Sequence, residues 1–400
     1  MVGLGAWGSQ ALWRLAHRGV DVLGIERFGI GHQMGSTHGA TRLFRVACLE
    51  HPGLVPIALR ARDLWYELGE LTGDVLLRQT GGLMVGPPDG HVVAGTVAAA
   101  KAAGLDVEML DSDTLRSRFP QYDALAADDV GVWDPAAGLS YPERGVRSAV
   151  VAAEAAGARV FSDTKVTAVD FGADGVTIST GTATIRARQV ILSAGAWMPH
   201  FVDLPLVARR TPMFWFEGPA PADTEPGGDF DLDAFPVFIR ELAEGNVLWG
   251  HGARKSGAEQ YAVKIGMEDR GDNFLDTDAD EVDRYIHPVR DYGQLSDLVG
   301  KAFPGLLSTP SMAIPCMVTN SVDGQFVVGR PNGDPRLLIA TGDNGHGFKH
   351  APAIGELLAQ LAVGEEPFAP IDFISPDRDF DVRNSWRAIP VTSPLSKEPA

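Results

Sequence analysis

The chain opens on Gly3-Leu4-Gly5-Ala6-Trp7-Gly8, and no other feature of its 400 residues restricts the fold as strongly. Glycines at GxGxxG spacing permit a tight strand-to-helix turn, let the backbone approach a pyrophosphate, and allow the helix to pack close to the sheet. The free N–H groups and positive dipole end of that helix then suit phosphate. The next residues continue a βαβ unit. Ala11, Leu12, Leu15 and Ala16 share one face of a helix from about Ser9 to His17, and Val20 to Ile25 reads as a strand. Glu26 ends that strand 18 residues after Gly8, where a carboxylate can accept hydrogen bonds from ribose hydroxyls. Turn and acid together predict dinucleotide binding. The strand that should precede the turn is reduced to Met1-Val2, so the natural start is expected several residues upstream. With neither a charged leader nor an apolar h-region, no signal peptide is expected.

A chain of this length exceeds what one hydrophobic core usually organises, so two domains are expected. Acidic residues outnumber basic ones 52 to 34, a net charge of −18 that repels nucleic acid and anionic lipid over most of the surface. No apolar run is long enough to span a bilayer. The two cysteines, Cys48 and Cys316, are too few for a disulfide framework and suit a reducing, cytoplasmic setting. No internal repeat is present, and no metal site is expected.

The layout is mixed α/β. A Gly-rich loop from Gly29 to Thr41 precedes a helix carrying Leu59, Leu64, Trp65 and Leu68. Lys165 to Asp170, Gly175 to Thr180 and Ala183 to Ala187 read as a meander, followed by the buried strand Val190-Ile191-Leu192. Gly218 to Asp233, rich in Pro, Gly and Asp, reads as a surface loop. Leu337 to Ala340, a turn through Gly342 to Gly347, and a helix from about Pro352 to Leu361 form a last strand–turn–helix. The final twenty residues read as a tail.

The segment Gly35-Ser36-Thr37-His38-Gly39-Ala40-Thr41-Arg42-Leu43-Phe44-Arg45 resembles the loop after the second strand in the monomeric sarcosine oxidase and N-methyltryptophan oxidase family, within the D-amino-acid-oxidase-like flavoproteins. Three further blocks agree in order: Ser193-Ala194-Gly195-Ala196-Trp197, Lys264-Ile265-Gly266, and Cys316-Met317-Val318-Thr319 leading to Gly345-His346-Gly347-Phe348-Lys349. The similarity runs from the first residue to about Phe380.

The resemblance implies a Rossmann-type FAD domain made of residues 1–82, 145–212 and 313–380, interleaved with a substrate domain of 83–144 and 213–312 on an antiparallel sheet. Residues 381–400 would be the tail. It implies FAD held by Gly3, Gly5, Ala6, Trp7, Gly8, Glu26 and Arg27 at one end. Ser36, Thr37, Arg42, Val166, Ala194, Gly195 and Trp197 would line its length. Gly345, His346, Gly347, Phe348 and Lys349 would present N–H groups to the N1–C2=O edge of the reduced flavin. Cys316 corresponds to the cysteine bonded to the flavin 8α carbon, a role that requires a thiolate. Cys48 is expected to be structural. Lys264 corresponds to the lysine that promotes reaction of reduced flavin with oxygen, and Arg42 and His346 to groups beside the ring. Arg45 and Lys349 correspond to the cations that bind a substrate carboxylate.

The implied reaction is oxidation of a secondary amine, an N-methyl or other N-alkyl amino acid or a cyclic imino acid. A hydride equivalent passes to flavin N5, the imine hydrolyses, and dioxygen yields hydrogen peroxide. The protein is expected to act as a monomer on a small molecule. Three positions depart from the family: Val318 stands for a tyrosine, Glu268 for a histidine and Trp249 for a second tyrosine. These changes argue against sarcosine and for a bulkier substrate with a side-chain donor. Two alternatives use the same motifs, a dehydrogenase with another electron acceptor and a non-catalytic FAD-binding subunit.

Overall fold

The computed structural model describes residues 1–218, 228–242, 245–253, 262–269 and 274–381. Part of the expected surface loop, 219–227, and the tail from 382 lie outside these residues. The first layer is a parallel sheet. Arg159–Phe161 pairs with Leu23–Ile25, Val190–Leu192 pairs with Leu337–Thr341, and the antiparallel strand Val327–Gly329 completes that edge. Met1 to Gly3 lies between the two halves. Val2 bridges both Ile25 and Leu192 in parallel, and its N–H donates to Ile191 O at 2.9 Å. The short apolar stretches alternate between the two faces of this sheet. Ile191, Leu338 and Val328 pack with Trp13, Ala58 and Leu357 of the helical layer. Val190, Leu192 and Ile339 pack with Val176 and Ile178 of the meander. A sheet covered on both faces needs this apolar content on both.

The helical layer consists of Ala6–His17, Leu54–Thr72, Pro142–Ala155 and Ala351–Val363. The opening helix begins three residues before its expected start, because the turn glycines lead straight into it. The meander is formed by Val166–Gly172, Gly175–Thr180 and Thr184–Ala187 in antiparallel register.

The second layer is an eight-stranded sheet drawn from strands between Gly82 and Ile314. Its core is aromatic: Phe214, Phe216, Phe235, Phe238, Phe303 and Tyr122 are packed together under the helix Pro288–Ala302. Its neighbouring strands pair antiparallel, as expected, except that Val237–Glu241 runs parallel to Gly82–Gly86. These strands belong to two chain segments separated by the parallel sheet, so no hairpin constrains their relative direction. A smaller sheet, Leu206–Arg210 between Leu275–Thr277 and Met317–Ser321, is pinned by buried ion pairs. Arg210 bonds Asp291 through both terminal nitrogens at 2.9 Å, and Arg209 lies 2.7 Å from Asp269. Among the described residues no helix is long and apolar enough to cross a membrane.

Candidate active site

A single continuous cavity of about 540 Å³ reaches from Glu26 to Lys349 and is lined by both large sheets. At one end lies the glycine turn. Gly3 has φ +87°, and a Cβ there would meet Ser193 O at 2.5 Å, while one on Gly8 would meet Gly3 O at 2.0 Å. Gly8 is therefore off the cavity wall and serves the close packing of helix on turn. Gly5 instead faces open space, with only Thr37 Oγ1 at 3.7 Å from a Cβ. Gly5 caps the helix without a side chain, and the Ala6 N–H donates to Thr37 Oγ1 at 3.3 Å, which leaves the following N–H groups and the dipole to an anion.

Glu26 accepts from Leu4 N at 2.8 Å and Phe28 N at 3.1 Å. Burial alone raises its carboxyl, but His32 and these bonds hold it below its ordinary range, so it is an anion and an acceptor. Farther along, Ser36, Thr319 and Thr341 carry buried hydroxyls on the cavity wall with no intramolecular partner. Hydroxyls left unpaired on a cavity wall can bond a polar ligand. An open glycine cradle, the N–H groups of the helix start, a ribose-type acceptor and these hydroxyls fit FAD.

Most of the residues singled out in the sequence line this one cavity. They include Ala6, Trp7, Arg27, Ser36, Thr37, Arg42, Val166, Ala194, Gly195, Trp197, Cys316 and the whole Gly345–Lys349 turn, together with Arg45, Trp249, Glu268 and Val318. Arg27 and Trp197, expected to meet the cofactor, both donate to Asp280, the latter at 2.6 Å. Asp280 also has Lys165 at 3.7 Å. Lys264 lies off the wall. Its Nζ donates to Gly39 O at 2.8 Å and Thr41 O at 3.0 Å, and sits 4.9 Å from the centre of the Trp215 ring.

The Ser36–Arg45 loop is held by donors and acceptors of its surroundings. Glu143, in the first turn of the helix Pro142–Ala155, accepts from Gly39 N at 2.7 Å and Ala40 N at 3.1 Å. Arg42 reaches across the loop to Ser36 O at 2.9 Å and brings its Nη2 within 3.9 Å of Cys316 Sγ. Burial pushes the Cys316 thiol up, while Arg42 and Lys264 pull the other way. Cys48 is buried with its thiol pushed up to about 12 by burial, which suits a structural role.

Glu50 carries no motif and was not singled out. Its Oε1 stands 2.6 Å from Arg45 Nη2, 3.3 Å from Lys349 Nζ and 3.9 Å from His346 Nδ1. Burial raises its carboxyl, but Arg45, Lys349 and His346 outweigh that and hold it well below the usual carboxylate range. Both cations expected to hold a substrate carboxylate thus already have an internal one. Asp280 and Glu143 were likewise not found from sequence.

Residues 1–361 match the family described as FAD dependent oxidoreductase. Among curated relatives, monomeric sarcosine oxidase of Streptomyces avermitilis is 32% identical over 382 residues, 94% of this chain and 96% of that protein. N-methyl-L-tryptophan oxidase of Citrobacter koseri is 31% identical, covering 92% of this chain and 95% of that one. Solved structures share the fold. The open form of NikD, described as an unusual amino acid oxidase essential for nikkomycin biosynthesis, superposes with a TM-score of 0.78 at 22% identity over 94% of this chain and 96% of its own. Iminodiacetate oxidase from Chelativorans sp. BNC1 does so at 0.71 and 18% identity, over 94% and 99%. The glycine cradle that opens the sequence, the cavity it begins and the match over nine-tenths of the chain agree, and the chain belongs to the FAD dependent oxidoreductase family.

Proposed function

We propose that this enzyme oxidises the C–N bond of an N-alkyl amino acid or cyclic imino acid and passes the electrons to dioxygen. The observation that carries the reading is the meeting of Arg45 and Lys349 with Cys316 and the Gly345–Lys349 turn in one cavity. Bound FAD supplies the two-electron oxidant. The amine loses two electrons and two protons to become an imine, which water hydrolyses, and dioxygen is reduced to hydrogen peroxide.

The chain's own residues bind and orient. Arg45 and Lys349 hold the substrate carboxylate in exchange for Glu50, through charge-assisted bonds worth roughly 1.5–3 kcal/mol each. Trp249, Glu268 and Val318 shape the remainder of the pocket. Val318 leaves room where a tyrosine would stand, and Glu268 favours a donor or cation on the substrate side chain. Cys316, with Arg42 beside its sulfur, is assigned the covalent link to the cofactor. Lys264 acts from behind Gly39 as a fixed positive charge, which favours reduction of dioxygen in a site of low dielectric. His346 lies beside the reacting groups, and Arg27 and Trp197 border the far end.

In this reading residues 1–82, 145–212 and 313–380 hold FAD, and 83–144 with 213–312 form the substrate domain. The enzyme works as a monomer, and its two buried cysteines, which form no disulfide, suit the reducing cytoplasm. The position of Lys264 off the cavity wall favours one alternative, a dehydrogenase with a different electron acceptor. Anaerobic mixing with an N-methyl amino acid should bleach the flavin, and air should restore its colour within seconds. Bleaching with no rapid return in air selects the dehydrogenase, and no bleaching by any N-alkyl amino acid refutes the amine assignment.

A further inference from the structure

The Gly345–Lys349 turn is rich in glycine, and its entry is tied locally by Gly345 N to Asp343 Oδ1 and His346 N to Asp343 O, both at 2.9 Å. Asn344 and Gly345 have φ of 49° and 75°, Gly347 follows, and a single turn of 3-10 helix, Phe348–His350, ends the segment. Glycine loses much conformational freedom when fixed. Donors that stabilise developing charge must be fixed before the reaction.

Two indoles add a restraint from outside the turn. Trp7, in the first turn of the opening helix, donates from Nε1 to Gly347 O at 3.1 Å. Trp65, just past the middle of the helix Leu54–Thr72, donates from Nε1 to Lys349 O at 3.2 Å. Both rings also pack on the turn: Trp65 lies 5.3 Å from the Phe348 ring, centre to centre, and a Cβ on Gly347 would fall 2.7 Å from Trp7 Cζ2. An indole N–H need not find an acceptor in this core, since that of Trp13, on the same helix as Trp7, is buried with none.

We infer that Trp7 and Trp65 are positioning residues, a two-point clamp that sets the direction of the peptides in this turn. The inference rests on the proposed reading that the turn meets the charged edge of the flavin. The peptides of this turn are trans, so a carbonyl directed at an indole sends the N–H of the same peptide the opposite way. Trp7 thus directs the Phe348 N–H away from the first helix. Trp65 directs the His350 N–H, which donates to Gly347 O at 3.2 Å and so ties the two points together. Trp65 also fixes the backbone of Lys349, whose Nζ is 3.1 Å from His346 O and 3.3 Å from Glu50. The clamp therefore has two outputs. Trp7 governs the Phe348 N–H offered to the flavin, and Trp65 the lysine offered to a carboxylate.

Trp7→Phe and Trp65→Phe each remove one N–H and keep a ring. In the FAD-loaded protein, amide exchange over residues 345–350 should quicken about threefold to tenfold in both variants, as for loss of one net hydrogen bond. Trp7→Phe should also disfavour the reduced flavin by about threefold to tenfold, a lowering of roughly 15–30 mV for a two-electron couple. Trp65→Phe should leave the potential in place and weaken binding of acetate severalfold. Unchanged exchange in both variants overturns the clamp, even if melting temperatures fall. Faster exchange with an unchanged Trp7→Phe potential leaves the clamp standing and overturns the assignment of this turn to the flavin edge.

Discussion

Glu50 Oε1 accepts a hydrogen bond from Arg45 Nη2 at 2.6 Å inside the cavity, with both side chains almost fully removed from solvent. A substrate carboxylate must therefore replace a carboxylate that the protein already provides. Glu50→Gln should tighten acetate binding severalfold, because Arg45 and Lys349 lose an anionic competitor. The same change should lower stability, since removing one partner of a buried pair costs about 3–5 kcal/mol. Titration of the flavin spectrum with acetate and a melting curve measure the two effects. Weaker acetate binding in a folded Glu50→Gln protein would contradict this exchange.

The same carboxylate sets a pH dependence. Its native pKa lies well below the ordinary value because Arg45, Lys349 and His346 outweigh burial. A group with a depressed native pKa adds stability that is complete above its unfolded value of about 4.3 and is lost as pH falls towards the native one. Melting temperature should fall on acidification below about pH 5. Glu50→Gln should start lower and show a shallower acid slope. Parallel slopes in the two proteins would remove Glu50 from the acid transition.

Cys316 makes a chemical prediction. After acid precipitation of the holoprotein the yellow colour should stay with the pellet, and in Cys316→Ala it should pass to the supernatant. Flavin that washes freely out of the unmutated protein would leave Cys316 as a buried thiol only.

Lys264 is predicted to act on the oxidative half of the cycle, because the charge it stabilises develops on oxygen. Lys264→Met should slow reoxidation by orders of magnitude, several kcal/mol of barrier, and leave anaerobic reduction much less affected. Stopped-flow traces of the two half-reactions separate these effects, and equal losses in both would refute the division.

Much of the parallel layer is legible in the sequence, because the GxGxxG spacing and the run Val190-Ile191-Leu192 each have one structural meaning in a strand–turn–helix context. The resemblance extends this to the cavity wall, where Cys316, Arg45 and the Gly345–Lys349 turn come together. Glu50, Asp280 and Trp65 are not legible as site residues. Glu50 sits in a loop without periodicity, Asp280 lies 253 residues from its partner Arg27, and Trp65 reads as one more apolar position on a helix face. Their roles depend on distant segments meeting, which local spacing does not encode. The parallel pairing of Val237–Glu241 with Gly82–Gly86 is hidden for the same reason.

The central claim is tested most directly by steady-state kcat/KM for peroxide formation by the FAD-loaded enzyme. Sarcosine, N-methyltryptophan and an N-methylated basic amino acid would be compared, each beside its analogue lacking the carboxylate. The account predicts turnover of the amino acids, preference for a substrate bulkier than sarcosine, and a loss of about tenfold or more without the carboxylate, the equivalent of one charge-assisted bond. A clear preference for sarcosine would contradict the pocket assigned to Trp249, Glu268 and Val318. Equal turnover of amines without a carboxylate would contradict the roles of Arg45 and Lys349, and no peroxide from any of these amines would contradict the account as a whole.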